Sequence, residues 1–191
     1  YAEKDITSAY DTQFVLYYTG AKSKTLLMKQ RIKSRQKKTT LGMKAIESAM
    51  QFIGVSEQPA GSNIVMFSKW YGMTGPWCAM FVTYNFVQAN SKAFKKGSRY
   101  AYCPYIYNDA KYQRNNLTLT TNPMPGDVVL YDWKGDGVAD HVGILLTKPD
   151  KSGMFKAIEG NTSGTNPSDG GMVAEMTRNT KDVIGFVRVL A

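Results

Sequence analysis

The order of the predicted elements indicates an α+β domain. Between residues 41 and 110, apolar side chains recur at the three- to four-residue spacing of amphipathic helices. From residue 123 onward, short strand-like runs alternate with loops rich in Gly, Pro, Asp and Asn. Helices first and strands second predict helices packed on an antiparallel sheet. The hydrophobic share of 43% is large enough to build the core of such a domain.

The first 40 residues differ from the rest in charge. They carry nine Lys or Arg against three Asp or Glu, so they hold +6 of the total formal charge of +9. One strand-like run lies at residues 12–20, and eight basic residues without an acid follow over residues 22–38. We therefore expect residues 1–40 to be a basic leader, a linker or the end of a preceding domain, and residues 41–191 to be the main domain. The basic run is either a solvated tether or a binding element for polyanions, such as nucleic acid or a phosphate-rich wall polymer.

Four helices are predicted in the first half of the main domain. Each has a local start or stop signal, such as the possible N-cap Thr40, Gly54, or the turn at Gly75-Pro76. They run from Thr40 to about Ile53, over residues 63–71, from Cys78 to about Asn90, and over residues 104–110.

Cys78 is the candidate nucleophile, because it lies in the first turn of the third predicted helix. Unpaired N–H groups and the helix dipole favour a negative charge at that position, so the thiol ionises more easily. A thiolate is the nucleophile that cysteine hydrolases use. The second cysteine, Cys103, is expected to be a free, buried thiol, since free cysteine behaves as a small hydrophobe.

His141 is the candidate general base, and it is the one histidine of the sequence. It begins a predicted strand over residues 141–148, and the next predicted strand, over residues 154–159, ends in polar groups. Either Glu159 or Asn161 could accept the second imidazole N–H and orient the ring. This arrangement is the one found in papain-type sites, with a cysteine on a helix, a histidine on a strand and an orienting polar group on the next strand.

Three further strand-like runs complete the predicted sheet. They cover residues 127–133, 172–177 and 183–190.

Four segments, in this order, resemble the CHAP domains (cysteine, histidine-dependent amidohydrolases/peptidases): residues 77–82 (WCAMFV), 125–129 (PGDVV), 140–144 (DHVGI) and 158–161 (IEGN). The resemblance covers roughly residues 41–190 and implies a papain-like fold. It also implies a peptidoglycan hydrolase of the phage-lysin or bacterial wall type, acting outside the cell or in the wall. The bond would be the N-acetylmuramoyl-L-alanine amide or a peptide bond of the stem or cross-bridge, cleaved through a cysteine thioester.

Two alternatives remain open at this point. A basic, non-enzymatic adaptor that binds wall polymer or nucleic acid would also explain the charge. An NlpC-type peptidase would keep the fold and act on a different substrate. The resemblance favours peptidoglycan as partner, with anionic wall polymers held by the leader and no nucleic acid.

The aromatic residues near Cys78 are candidates to line a substrate groove: Trp70, Tyr71, Trp77 and Trp133. The segment Asp132–Asp140 (DWKGDGVAD) has aspartates at a spacing of four, but Lys134 takes the third position of a calcium loop and no acid takes the twelfth. We therefore expect a tight turn there, no metal site and no cofactor. No apolar run is long enough to span a membrane. The chain begins at Tyr1 rather than Met, so a missing signal peptide proves nothing.

Overall fold

The computed structural model describes residues 5–7, 13–15, 40–166 and 169–191. The chain divides into two compact units, Tyr1–Thr39 and Thr40–Ala191. In the first unit, strands β1 (Asp5–Thr7) and β2 (Gln13–Val15) pair antiparallel. The basic run over residues 22–38 lies outside the described residues, so its role as a leader stays a prediction.

Four α-helices are described in the second unit, in the order predicted. The hydroxyl of Thr40 accepts the N–H of Met43 at 3.2 Å and caps the first helix, as the sequence indicates. That helix ends at Met50 rather than at Ile53. The helices are α1 (Leu41–Met50), α2 (Met66–Tyr71), α3 (Cys78–Gln88) and α4 (Cys103–Lys111).

The strands of the second unit form one antiparallel sheet, and the α+β class predicted from the sequence is confirmed. Its order is β3-β8-β4-β5-β6-β7, so the last strand of the chain lies inside the sheet. The first of these strands, β3, was not predicted. The strands are β3 (Leu117–Leu119), β4 (Val128–Tyr131), β5 (His141–Leu145), β6 (Met154–Thr162), β7 (Met172–Asn179) and β8 (Val183–Val189).

Alternate residues of the central strands face opposite sides of the sheet. Val128 and Leu130 belong to the large core that the helices cover, whereas Val129 and Tyr131 belong to a smaller cluster with Phe155. Both clusters are buried, which is why β4 and β5 read as continuous apolar runs in the sequence.

The helix that carries Cys78 packs against β5 and β6. Gly160 in β6 makes the close approach possible. A Cβ atom built on Gly160 would lie 2.5 Å from Cβ of Phe81 and 2.8 Å from Cζ3 of Trp77. A side chain at this position would therefore separate the start of α3 from β6.

In the described part of the chain, no helix is long and apolar enough to cross a membrane.

Candidate active site

Cys78 is the first residue of α3, and its side chain is almost fully buried, with 6% of the residue exposed. A hydrogen bond from the Cys103 thiol is the main cause that lowers the pKa of Cys78 well below its usual value. Burial acts in the opposite direction, and the charge of His141 and the backbone N–H of Ala79 add to the lowering. The surroundings of Cys78 thus favour a thiolate, as expected of a nucleophile at a helix N-terminus.

Cys103 is the first residue of α4, and it is a free, buried thiol, as the sequence analysis expected. Its Sγ lies 3.2 Å from the carbonyl oxygen of Ala139, two residues before His141. The interaction with Cys78 and burial raise the pKa of Cys103 far above its usual value. Cys103 therefore keeps its proton, and its effect on the pKa of Cys78 is one that the sequence did not reveal.

His141 is the first residue of β5, and its ring is fully buried. The rings of Trp133 and Tyr131 stack on it, with centroids 5.4 and 5.9 Å away. Burial alone would lower the pKa of His141, but the Cys78 thiolate and Glu159 outweigh it and raise the pKa to about 9. The imidazole is thus held as a cation beside the thiolate at neutral pH.

Glu159 lies beside His141. Its Oε2 atom lies 3.1 Å from Nε2 of His141. Within residues 40–166 and 169–191, Nδ1 of His141 is buried and has no hydrogen-bond partner. Because Glu159 engages Nε2, Nδ1 is the nitrogen left to exchange a proton with Cys78 or a substrate.

Two residues missed by sequence reasoning complete the surroundings of Glu159. The hydroxyl of Tyr131 donates to Oε1 at 2.8 Å, and Nε of Arg178 donates to the same oxygen at 3.0 Å. The Arg178 guanidinium also lies over the rings of Tyr131 and Trp133, at 5.5 and 5.2 Å. Burial would raise the pKa of Glu159, but its hydrogen bonds to His141 and Arg178 keep that pKa below its usual value. Glu159 is therefore a carboxylate with saturated oxygens, suited to hold an imidazolium.

The family model of the CHAP domain matches residues 70–161, a range that contains Cys78, His141 and Glu159. The similarity to the CHAP domain is thus shown for this part of the chain. The resemblance seen in the sequence is thereby confirmed.

Several solved structures are similar to this chain. They are the endolysin LysIME-EF1 (16% identity, 75% of this chain and 62% of that chain, TM-score 0.47), a mutated Resuscitation Promoting Factor Interacting protein RipA (20%, 78% and 62%, 0.48) and the peptidoglycan hydrolase RipB from Mycobacterium tuberculosis (16%, 79% and 65%, 0.45). This chain thus covers less than two thirds of the length of each of these structures. A search of curated proteins gives no match.

Asn161, the alternative orienting residue, is in the same strand as Glu159 but its side chain has other partners. Its amide nitrogen donates to Asp169 at 3.0 Å, and its amide oxygen accepts the N–H of Gly171 at 3.2 Å. Its backbone has φ +58°, in the left-handed region that Asn tolerates better than most residues. Asn161 therefore anchors the loop between β6 and β7, and Glu159 takes the position beside His141.

The four aromatic residues predicted to line a substrate groove have different surroundings in the structure. The prediction is wrong for Trp77, whose side chain is fully buried, stacks on Phe67 and donates its indole N–H to Glu57 at 2.8 Å. Trp133 is half-buried and covers His141. Trp70 and Tyr71 contact each other at the end of α2, and the Tyr71 hydroxyl bonds to the carbonyl of Ser98. A groove role for Trp70, Tyr71 and Trp133 stays a prediction.

The aspartate segment forms the connection between β4 and β5. Asp132 accepts the backbone N–H groups of Gly135 and Gly137, at 2.8 and 2.9 Å. Asp140 accepts the ammonium of Lys134 at 2.6 Å and the N–H of Trp133 at 2.9 Å. Both carboxylates therefore accept hydrogen bonds from groups of the same turn. No cluster of metal-binding residues is found in the described part of the chain.

Proposed function

We propose that this chain is a peptidoglycan hydrolase that cleaves an amide bond through a thioester on Cys78. The observation that carries the proposal is the buried pair of Cys78 and His141, with Glu159 at 3.1 Å from Nε2 of the imidazole. This arrangement lies within the match to the CHAP domain. A buried, charged network of this kind costs folding free energy and is found where chemistry needs it.

The proposed reaction begins with attack of the Cys78 thiolate on the amide carbonyl carbon. The backbone N–H of Cys78, at the start of α3, is the candidate donor to the oxyanion that forms. His141 then gives its proton to the leaving amine, and a thioester remains on Cys78. Water attacks the thioester, His141 accepts the proton of that water, and the carboxylic acid product leaves with the thiolate restored.

The decisive experiment is digestion of purified peptidoglycan followed by mass spectrometry of the soluble fragments. We expect fragments with new amino termini, and their masses distinguish the N-acetylmuramoyl-L-alanine amidase from a stem or cross-bridge endopeptidase. Cys78→Ser should release none, because a hydroxyl at neutral pH is a far weaker nucleophile than a thiolate. Wild-type release by a folded Cys78→Ser protein would refute the mechanism.

The non-enzymatic adaptor is the second candidate function, and the charge of residues 1–40 is the observation that favours it. An adaptor would bind walls but release no fragments at any enzyme concentration. An NlpC-type peptidase with a different substrate would leave peptidoglycan uncut and would cleave another amide through Cys78. The digestion therefore separates the wall hydrolase from both alternatives.

The remaining proposal concerns the binding partner and the localisation of the protein. The basic excess of residues 1–40 supports attachment to anionic wall polymers, with the enzyme acting outside the cell or in the wall.

A further inference from the structure

A pocket of about 460 Å³ lies on the surface of the second unit, Thr40–Ala191. Its lining comes from the end of α2 and the residues after it, from the loop before α4, and from the first turns of α4. The lining residues are Tyr71, Gly72, Met73, Gly97, Ser98, Arg99, Ala101, Tyr102 and Tyr105. A volume of this size is typical of small-ligand sites.

Two of the segments that line this pocket lead along the chain to the two cysteines. Met73 is five residues before Cys78, and Tyr102 directly precedes Cys103, which lowers the pKa of Cys78. Both segments that wall the pocket therefore lead into helices whose first residues meet at the candidate active site. A larger pocket of about 530 Å³ near Thr120 and Phe186 contains none of the site residues.

Arg99 gives the pocket a fixed positive charge. Its side chain is 47% exposed, and Asp109, which is fully buried, binds one end of the guanidinium. Asp109 also accepts the Tyr100 hydroxyl and the amide of Asn115, at 2.5 and 2.8 Å. The Arg99 guanidinium lies 5.1 Å from the centre of the Tyr105 ring. Arginine carries five N–H donors in a rigid fork, so Arg99 can bind Asp109 and still offer donors to a ligand.

The remaining walls of the pocket are aromatic and apolar. Tyr102 and Tyr105 meet edge to face, with centroids 5.5 Å apart, and they are 54% and 41% exposed. Met73 is 49% exposed. Exposed aromatic rings next to a fixed arginine are suited to bind a ligand that has an apolar part next to a carboxylate.

The chain segment that contains Arg99 has the same sign of charge. Residues 92–114 contain six basic residues and a single acid, the buried and paired Asp109. Except for Asp109, these charges are exposed. The second unit thus carries a basic excess of its own, independent of residues 1–40, in the segment that contains Arg99.

We propose that this pocket is a substrate subsite that binds the peptidoglycan stem peptide through a free carboxylate. Arg99 pairs with the carboxylate, while Tyr102 and Tyr105 cover the adjacent apolar part of the stem. This inference rests on the proposed function and adds to it a specificity: a stem with a free carboxylate is preferred over one whose carboxylate is amidated.

The test uses two soluble muropeptides that differ only in whether one stem carboxylate is free or is a carboxamide. We expect Arg99→Gln to lower kcat/KM on the free acid about tenfold, the loss typical of a charge-assisted hydrogen bond. On the carboxamide, Arg99→Gln and the wild type should be equal. Arg114→Gln is the matched control, since Arg114 also lies 5.1 Å over a tyrosine ring but outside this pocket.

The aromatic part is tested with Tyr102→Ala against Tyr112→Ala, another exposed tyrosine, which does not line the pocket. Only Tyr102→Ala should raise KM, on both muropeptides. An equal loss of Arg99→Gln on the two muropeptides would mean that Arg99 acts through Asp109 and would overturn the proposal. No loss on either, or the same loss in Arg114→Gln, would also overturn it.

Binding of the free-acid muropeptide, measured by calorimetry, separates the two proposals. If the wild type cleaves neither muropeptide, the proposed function fails. Weaker binding by Arg99→Gln than by Arg114→Gln would then still support the pocket, and equal binding would refute it.

Discussion

Gly160→Ala should loosen the contact that holds the nucleophile helix on the sheet. The added Cβ atom would lie 2.5 Å from Cβ and 2.7 Å from Cγ of Phe81, and 2.8 Å from Cζ3 of Trp77. Each distance is about 1 Å or more short of normal contact between carbon atoms. Both neighbours are fully buried, so neither can turn away and the helix or the strand must shift.

The expected cost follows from this overlap. Overpacking of a buried site costs about 1–3 kcal/mol. For a unit of this size, that lowers the unfolding temperature by about 2–12 °C. The shift occurs between Cys78 and Glu159, which flank the contact, and a displacement of about 1 Å at reacting groups can cost about 100-fold in rate. We therefore expect a larger effect on kcat/KM than on stability.

Gly164→Ala is the matched control, because a Cβ atom at Gly164 would meet no atom within 4 Å. The assay is thermal unfolding of both variants together with kcat/KM on a soluble muropeptide. If Gly160→Ala matches Gly164→Ala in both measurements, close packing at Gly160 does not position the nucleophile.

Three further outcomes are expected. Glu159→Gln removes the carboxylate that helps to raise the pKa of His141, so the alkaline limb of kcat/KM should move to lower pH; an unchanged limb would contradict the role of Glu159. Cys103→Ala removes the hydrogen bond that lowers the pKa of Cys78, so alkylation of Cys78 by iodoacetamide should require higher pH, whereas Cys103→Ser, which keeps a donor, should lie closer to wild type. Deletion of residues 1–38 should leave cleavage of a soluble muropeptide unchanged and make binding to whole walls weaker and less sensitive to salt; loss of cleavage would show that these residues belong to the catalytic fold.

The elements that could be predicted from the sequence are those with local signals. Thr40 caps α1 through an atom three residues away, and the turn at Gly75-Pro76 precedes α3. The chemistry and order of Cys78, His141 and Glu159 predict a site, and the structure brings these residues together. Their catalytic roles remain proposals.

The features that were missed depend on distant parts of the chain. Strand β3 has three residues, too few to show alternation, and its pairing with β8 defines it. Arg178 reaches Glu159 because the pairing of β6 and β7 puts both side chains on the same face of the sheet. Trp77 was assigned to the groove because it is next to the nucleophile, but α3 turns its ring into the core against Phe67.

The position of β8 has a consequence for the order of folding. This strand is the last of the chain, yet it lies between β3 and β4, so the sheet closes only after Val183–Val189 has been synthesised. Until then, β4 presents an unpaired edge, which invites association with other chains. A protein shortened before residue 183 should aggregate even though every proposed catalytic residue is present. Truncation from the carboxyl end is thus unsuited to mapping the minimal enzyme, and internal substitutions are the safer approach.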